Sequence, residues 1–242
     1  MELKIDLNRK TIIDALIVFQ LILLIVLAGF TFSLSRKVDS LIGGESVLAR
    51  NDLSDSDPTP SVNSNPRPVG KADFNITKKD YLLGNFDAPV TLVVYSDVQC
   101  PYSLRHHATM KQIMEEYEGK ARLVWRHYPL SFHKNAQKGS EAVECAGEQG
   151  KFWEYLDKLF ENQKSLSEAN MKKWAREMGL NTSKFDSCLD DGKYASKVKS
   201  NIDQGMANGV SGTPATFVNG ELVSGALPFS QFKSKIDSLL NK

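Results

Sequence analysis

Residues 90–103 read VTLVVYSDVQCPYS, and this stretch decides the fold. Residues 90–96 are apolar and rich in β-branched side chains, which predicts a short buried strand. Cys100 follows the strand, and Pro101 stands where the first residue of a helix would lie. Proline suits that position because its missing N–H would have no partner inside the helix. The stretch therefore predicts a strand, a tight turn and a helix that ends at Gly119, with a cysteine at the junction.

Cys100 would cap this helix. It would lie beside unpaired backbone N–H groups and the positive end of the helix dipole, and both favour a thiolate over a thiol. Cysteines at helix N-termini are known for lowered pKa values and for nucleophilic reactivity. The sequence therefore indicates a nucleophile. The alternative is an inert cysteine buried at the end of a strand.

The remaining elements complete an α/β pattern. Residues 122–128 (RLVWRHY) predict a second strand and hence a right-handed βαβ unit. A long helical stretch follows, and then two β-prone runs, 215–218 and 221–223, flank Asn219-Gly220, which is a strong hairpin signal. An amphipathic helix over 229–240 closes the chain.

Thr213-Pro214 lies directly before the first strand of this hairpin. A proline that opens a strand after Gly-Thr is compatible with a constrained cis bond and equally with an ordinary turn. The residues alone leave both alternatives open.

The N-terminal third differs from the rest. Residues 12–34 form a largely apolar run whose only charge is Asp14, and they would span roughly 34 Å as a helix, enough to cross a bilayer. We predict a transmembrane helix after a cytoplasmic segment, 1–11. A cleaved signal peptide is the alternative, but the run is long and Phe30, Phe32 and Leu34 occupy the place of a small-residue cleavage site. Residues 35–70 are rich in Pro, Ser and Asp and predict a flexible linker.

Composition limits the function classes. The chain has 242 residues with 30 basic and 29 acidic side chains, and this balance argues against a nucleic-acid partner. The four histidines show no metal-ligand spacing, so we expect neither a metal nor another cofactor. The adjacent pair His106 and His107 is expected to be partly exposed packing, with a possible influence on the Cys100 thiolate.

Three segments resemble bacterial DsbA-like thiol-disulfide oxidoreductases of the thioredoxin superfamily, and the resemblance covers about residues 75–240. They are SDVQCPYS, the run from RHYPL through FHKNAQKGSEAVECAGEQGKFWEYLDKLFENQ, and GVSGTPATFVNG. The resemblance implies a thioredoxin-like domain over 71–242 with a helical insertion at about 135–208. It implies that Cys100 is the redox nucleophile and that Thr213-Pro214 is a cis-proline loop that binds protein or peptide substrates with thiols or disulfides.

One departure from the family changes the expected chemistry. The motif Cys100-Pro101-Tyr102-Ser103 has serine where the family has a second cysteine, so no disulfide can form within it. We expect monothiol exchange, with isomerase or reductase action favoured over oxidase action, and release by an external thiol or a membrane redox partner. Ser103 would either donate a hydrogen bond to the thiolate or be a remnant. The alternative function is a non-catalytic peptide-binding or chaperone-like module.

Cys145 and Cys188 remain, both in the predicted insertion. Outside a reducing compartment we expect them to form a structural disulfide, which some DsbA-like proteins carry in the helical domain. Two separate buried thiols, or exchange of one of them with Cys100, are the alternatives.

The basic residues flanking residues 12–34 are nearly balanced, so the orientation of the predicted transmembrane helix is taken from the chemistry of the domain. We expect a single-pass cell-membrane protein with a cytoplasmic N-terminus and an extracytoplasmic C-terminal domain.

Overall fold

A computed structural model of the chain describes residues 71–78 and 80–241. They form a five-stranded sheet in the order β1-β3-β2-β4-β5. The strands are β1 (Leu82–Gly84), β2 (Val90–Ser96), β3 (Ala121–His127), β4 (Ala215–Val218) and β5 (Glu221–Ser224). Strands β2 and β3 are parallel, and the other neighbouring pairs are antiparallel. The predicted mixed α/β class is confirmed.

The helices fall into two groups. Helix α1 joins β2 to β3, helix α7 closes the chain, and the other helices lie between β3 and β4 as an insertion. Their bounds are α1 (Pro101–Glu116), α2 (Ala136–Gly147), α3 (Phe152–Glu161), a 3-10 turn (Gln163–Ser165), α4 (Glu168–Glu177), α5 (Thr182–Asp190), α6 (Ala195–Ala207) and α7 (Phe229–Leu240). The sequence pattern predicted this order.

Both faces of the sheet are covered, which explains why β2 is apolar along its length. Leu92 and Val94 face a large core that includes side chains of α1, the insertion and α7. Val93 and Tyr95 point to the opposite face and pack in a smaller cluster. Partly buried Phe74, from the segment before β1, also packs against this second cluster.

Strand β1 was not predicted. It has three residues and pairs antiparallel with β3, with Leu82 opposite Val124. A run of three residues is too short to show the alternation of apolar and polar residues typical of a strand, so β1 is identified only by its pairing with β3.

The predicted segments 1–11, 12–34 and 35–70 lie outside the described residues, so their assignments stay predictions. Within 71–78 and 80–241, no helix has both the length and the apolar character needed to span a bilayer.

Candidate functional site

Cys100 stands at the N-terminus of α1, as the sequence predicted. Its backbone is extended (φ −76°, ψ 123°), Pro101 is the first helical residue, and the Cys100 carbonyl accepts the Leu104 N–H at 3.1 Å. The turn before it is held by Asp97, whose carbonyl accepts the Cys100 N–H at 3.1 Å. The first N–H groups of α1 and the helix dipole are therefore available to a negative charge on the sulfur.

The Thr213–Pro214 peptide bond is cis and lies against this cysteine. The Cys100 Sγ atom is 3.5 Å from the Thr213 carbonyl oxygen and donates to it as a thiol. Two residues far apart in sequence thus meet at one point, as the family resemblance implied. Cys100 is only 4% exposed, whereas Tyr102, two residues later in the first turn of α1, is 62% exposed.

Asp97 organises the loop around the cysteine, and sequence reasoning missed it. Its carboxylate is fully buried and accepts hydrogen bonds from the Gln99 N–H (2.6 Å), the Leu130 N–H (2.8 Å) and His133 Nδ1 (2.7 Å). Each donor offsets part of the cost of burying the charge. One signal was available: an acidic residue directly after a buried strand and three residues before Cys100.

Ser103 lies one helical turn after Cys100 and is completely buried. The hydrogen bond that the structure gives its Oγ atom comes from the Asp97 N–H at 3.4 Å, not from the Cys100 thiol. The structure therefore does not show the hydrogen bond between Ser103 and the Cys100 sulfur that was one of the two expectations. The serine helps to close the loop between β2 and α1.

The two histidines of α1 are buried, which corrects the expectation that they are partly exposed. His106 lies 1% exposed, with Nε2 2.8 Å from the Thr216 hydroxyl on β4. Burial, with a smaller contribution from neighbouring His107, lowers the pKa of His106 to about 4. A neutral imidazole therefore links the helix that carries Cys100 to the strand that follows Pro214.

His107 has a different environment. Its Nε2 atom lies 2.6 Å from the Asp157 carboxylate on α3, and its ring stacks on Phe160 at 4.6 Å between centroids. Burial alone would raise the pKa of the Asp157 carboxyl. The hydrogen bonds from His107 and Lys111 outweigh it, so this pKa lies below its ordinary value. His107 therefore ties α1 to the insertion.

Cys145 and Cys188 form a disulfide that joins α2 to α5, so the expected pairing is present. This disulfide leaves Cys100 as the free cysteine of the chain.

Glu144, beside Cys145, is buried. Its carboxylate oxygens lie 3.0 Å from His127 Nε2 and 2.6 Å from Lys197 Nζ. Burial would raise the pKa of Glu144, but the interactions with His127 and Lys197 lower it on balance.

Within the part of the chain that the structure describes, no group of three or more His, Cys, Asp or Glu side chains is arranged to hold a metal ion. The expectation that the protein needs neither a metal nor another cofactor stays a prediction.

A family model described as Thioredoxin matches residues 76–238. Among solved structures, Wolbachia pipientis alpha-DsbA1 has a TM-score of 0.60 at 23% identity, covering 69% of this chain and 93% of that one. A thioredoxin-like oxidoreductase from Silicibacter pomeroyi has a TM-score of 0.58 at 27% identity, covering 69% and 95%. The fold is thus the DsbA-like variant of the thioredoxin fold.

The curated relatives match this chain over its C-terminal, thioredoxin-like region. A protein named Na(+)/H(+) antiporter NhaA 3 from Salinispora tropica is 38% identical over 143 residues, which is 59% of this chain and 22% of the relative. NhaA 1 from Salinispora arenicola is 34% identical over 161 residues, 66% of this chain and 24% of the relative. The chain therefore spans about a quarter of the length of these relatives.

This comparison corrects the predicted localisation. We expected a single-pass protein with an extracytoplasmic C-terminal domain, and we took its orientation from the chemistry of that domain. Relatives that share the domain are named as ion antiporters. The predicted localisation is therefore wrong on this comparison, because the chemistry of the domain, from which the orientation was taken, does not fix a topology.

Proposed function

The chain belongs to the thioredoxin family, and from this premise we propose that it exchanges thiols and disulfides on protein substrates through Cys100 alone. The observation that carries the proposal is the meeting of a helix-capping cysteine with a cis-proline loop. Cys100 Sγ lies 3.5 Å from the Thr213 carbonyl, directly before Pro214. Cys100 would supply the nucleophile, and the backbone of the Thr213-Pro214 loop would bind the substrate chain beside it.

The reaction has two exchange steps. The Cys100 thiolate attacks one sulfur of a substrate disulfide, forms a mixed disulfide and releases the second substrate sulfur as a thiolate. A second thiolate, from the substrate or from an external thiol, then attacks the mixed disulfide and restores Cys100. The site stores no disulfide, because Ser103 replaces the second cysteine and the other two cysteines are bonded to each other. Isomerase or reductase action therefore suits this protein better than oxidase action.

The cis-proline loop would hold the substrate chain. Strand β4 begins directly after Pro214, and its first residue, Ala215, pairs with Tyr95 of β2. Thr213 precedes the paired region and lies against Cys100, so its backbone is free of the sheet ladder. Tyr102, exposed in the first turn of α1, would form one wall for the bound peptide. This arrangement supports protein or peptide substrates with thiols or disulfides.

The direct test uses the full chain with a disulfide-bonded peptide, followed by non-reducing electrophoresis and mass spectrometry. We expect a covalent adduct on Cys100 that a small external thiol removes. The Cys100→Ser variant is the control and should form none. An adduct of equal yield in that variant would refute the assignment of the nucleophile.

A second experiment asks what Ser103 contributes. The Ser103→Cys variant places a second thiol one helical turn from Cys100, where it can resolve the mixed disulfide from within the chain. We expect a shorter-lived adduct and faster turnover, measured as reduction of the same peptide by an external dithiol. Unchanged turnover, with Cys100 failing to form any adduct, would favour a non-catalytic peptide-binding module.

A further inference from the structure

We propose that Gln163, in the 3-10 turn of the helical insertion, is a positioning residue for the Cys100 thiol. The inference rests on the proposed function, because it concerns the reactivity of the same sulfur. It adds a role for the helical insertion, which would hold the shape of residues 97–100, the redox loop.

The contacts are specific. The Gln163 Nε2 atom donates to the Cys100 carbonyl at 2.9 Å and to the Val98 carbonyl at 3.0 Å. A primary amide nitrogen has two N–H groups, so one side chain can satisfy both acceptors. The two carbonyls lie on either side of Gln99. Gln163 thus fixes the orientation of the Val98–Gln99 peptide plane and of the Cys100–Pro101 peptide plane, which follows the nucleophile.

A second link supports the same placement. The Gln99 Oε1 atom accepts the Asn135 N–H at 2.7 Å, and Asn135 Nδ2 donates to the Leu166 carbonyl at 2.8 Å. Asn135 directly precedes α2, and Leu166 directly follows the turn that carries Gln163. The segment 98–100 is therefore held to the insertion through its backbone and through the Gln99 side chain.

These bonds act on the sulfur in two ways. The extended backbone of Cys100 directs Sγ toward Thr213 and leaves the first N–H groups of α1 open to the thiolate. Without the Gln163 amide, the Val98 carbonyl would lose this donor, and the Cys100 carbonyl would keep its bond from the Leu104 N–H but lose the one that ties it to the insertion. The carboxamide also points its positive N–H edge at the carbonyl of the nucleophile, which adds to the potential of the helix N-terminus. Loss of both bonds should therefore slow attack by Cys100 about tenfold, as two neutral hydrogen bonds of ordinary strength imply.

The test compares three variants of the full chain. Gln163→Met keeps the length of the side chain and removes both donors, while Gln163→Glu also adds a negative charge. Asn162→Asp is the matched control, because Asn162 directly follows α3 and its amide donates to the Lys158 carbonyl of that helix at 2.9 Å and not to the redox loop. Circular dichroism and thermal unfolding show whether each variant folds.

The probe is dithiodipyridine, a small neutral disulfide that needs no peptide docking. The Cys100 thiolate forms a mixed disulfide with one half and releases the other as thiopyridone, whose absorbance gives the rate. Since Cys145 and Cys188 are bonded to each other, the release reports Cys100. Rates are measured across a range of pH, so that the fraction of thiolate and its intrinsic reactivity are separated.

We expect Gln163→Met to react about tenfold more slowly than the natural protein, Gln163→Glu more slowly still with its rate profile moved to higher pH, and Asn162→Asp within twofold. Rates within twofold for a folded Gln163→Met would overturn the inference, and so would failure of both Gln163 variants to fold. If the natural protein releases no thiopyridone, the proposed function itself fails. Reaction by the natural protein and equal reaction by the variants would refute the role of Gln163 alone.

Discussion

His106 should make the stability of the protein depend on pH between about 8 and 5. Its imidazole is buried between α1 and β4, next to the Thr216 hydroxyl and the Phe232 ring. Burial and the neighbouring His107 lower the pKa of His106 from 6.5 to about 4. The folded state therefore binds a proton at His106 less readily than the unfolded chain does.

The sign and size follow from linkage. The stabilisation is fully present above the unfolded pKa of 6.5 and is lost progressively as the pH falls toward the folded value of about 4. At pH 5 the unfolded histidine is almost fully protonated, while the folded one is still mostly neutral. With ~1.36 kcal/mol for each pKa unit, His106 alone should cost about 2 kcal/mol of unfolding free energy between pH 8 and pH 5.

The assay is urea unfolding at pH 8 and pH 5 for the natural chain and for His106→Gln. Glutamine keeps an amide donor for Thr216 and does not titrate, so the difference between the two proteins isolates His106. Glu144 and Asp157 have lowered pKa values and stay ionised at both pH values. The natural chain should lose about 2 kcal/mol more than the variant. An equal loss in the two proteins would refute the argument that burial holds His106 neutral.

Three other variants test the surroundings of the site by urea unfolding. Replacing Cys145 and Cys188 by alanine opens a loop with a sequence separation of 43, and should cost about 4 kcal/mol by the chain-entropy model; an unchanged midpoint would contradict it. Gly147→Ala should cost about 1 to 3 kcal/mol, because the new Cβ would collide with the Tyr81 ring, and a gain in stability would be contrary evidence. Asp97→Asn should lower the free energy of unfolding by about 2 kcal/mol, because an amide nitrogen would replace one carboxylate oxygen and face an N–H donor. A neutral effect would show that the loop rearranges freely.

The sequence was informative wherever a residue's role depends on its near neighbours in the chain. The apolar run of β2, the proline after Cys100 and the Asn-Gly hairpin each predict an element from local chemistry, and each element is present. The position of Cys100 followed from the same reasoning, because a cysteine between a strand and a proline-initiated helix lies at a helix N-terminus. Bonding of Cys145 to Cys188 agrees with expectation, although spacing alone left it open.

Tertiary structure decided the interactions between residues far apart in sequence. Nothing local indicates that Gln163 reaches the carbonyl of Cys100, or that His133 reaches the carboxylate of Asp97. The burial of His106 was equally hidden, since adjacent histidines on a helix carry no sign of what packs against them. Periodicity records which side of an element is apolar, whereas hydrogen-bond partners and burial depend on how the elements pack. The sequence therefore predicted most of the strands and helices and the position of Cys100 at a helix N-terminus, whereas packing alone determined which side chains bond to the loop around that cysteine.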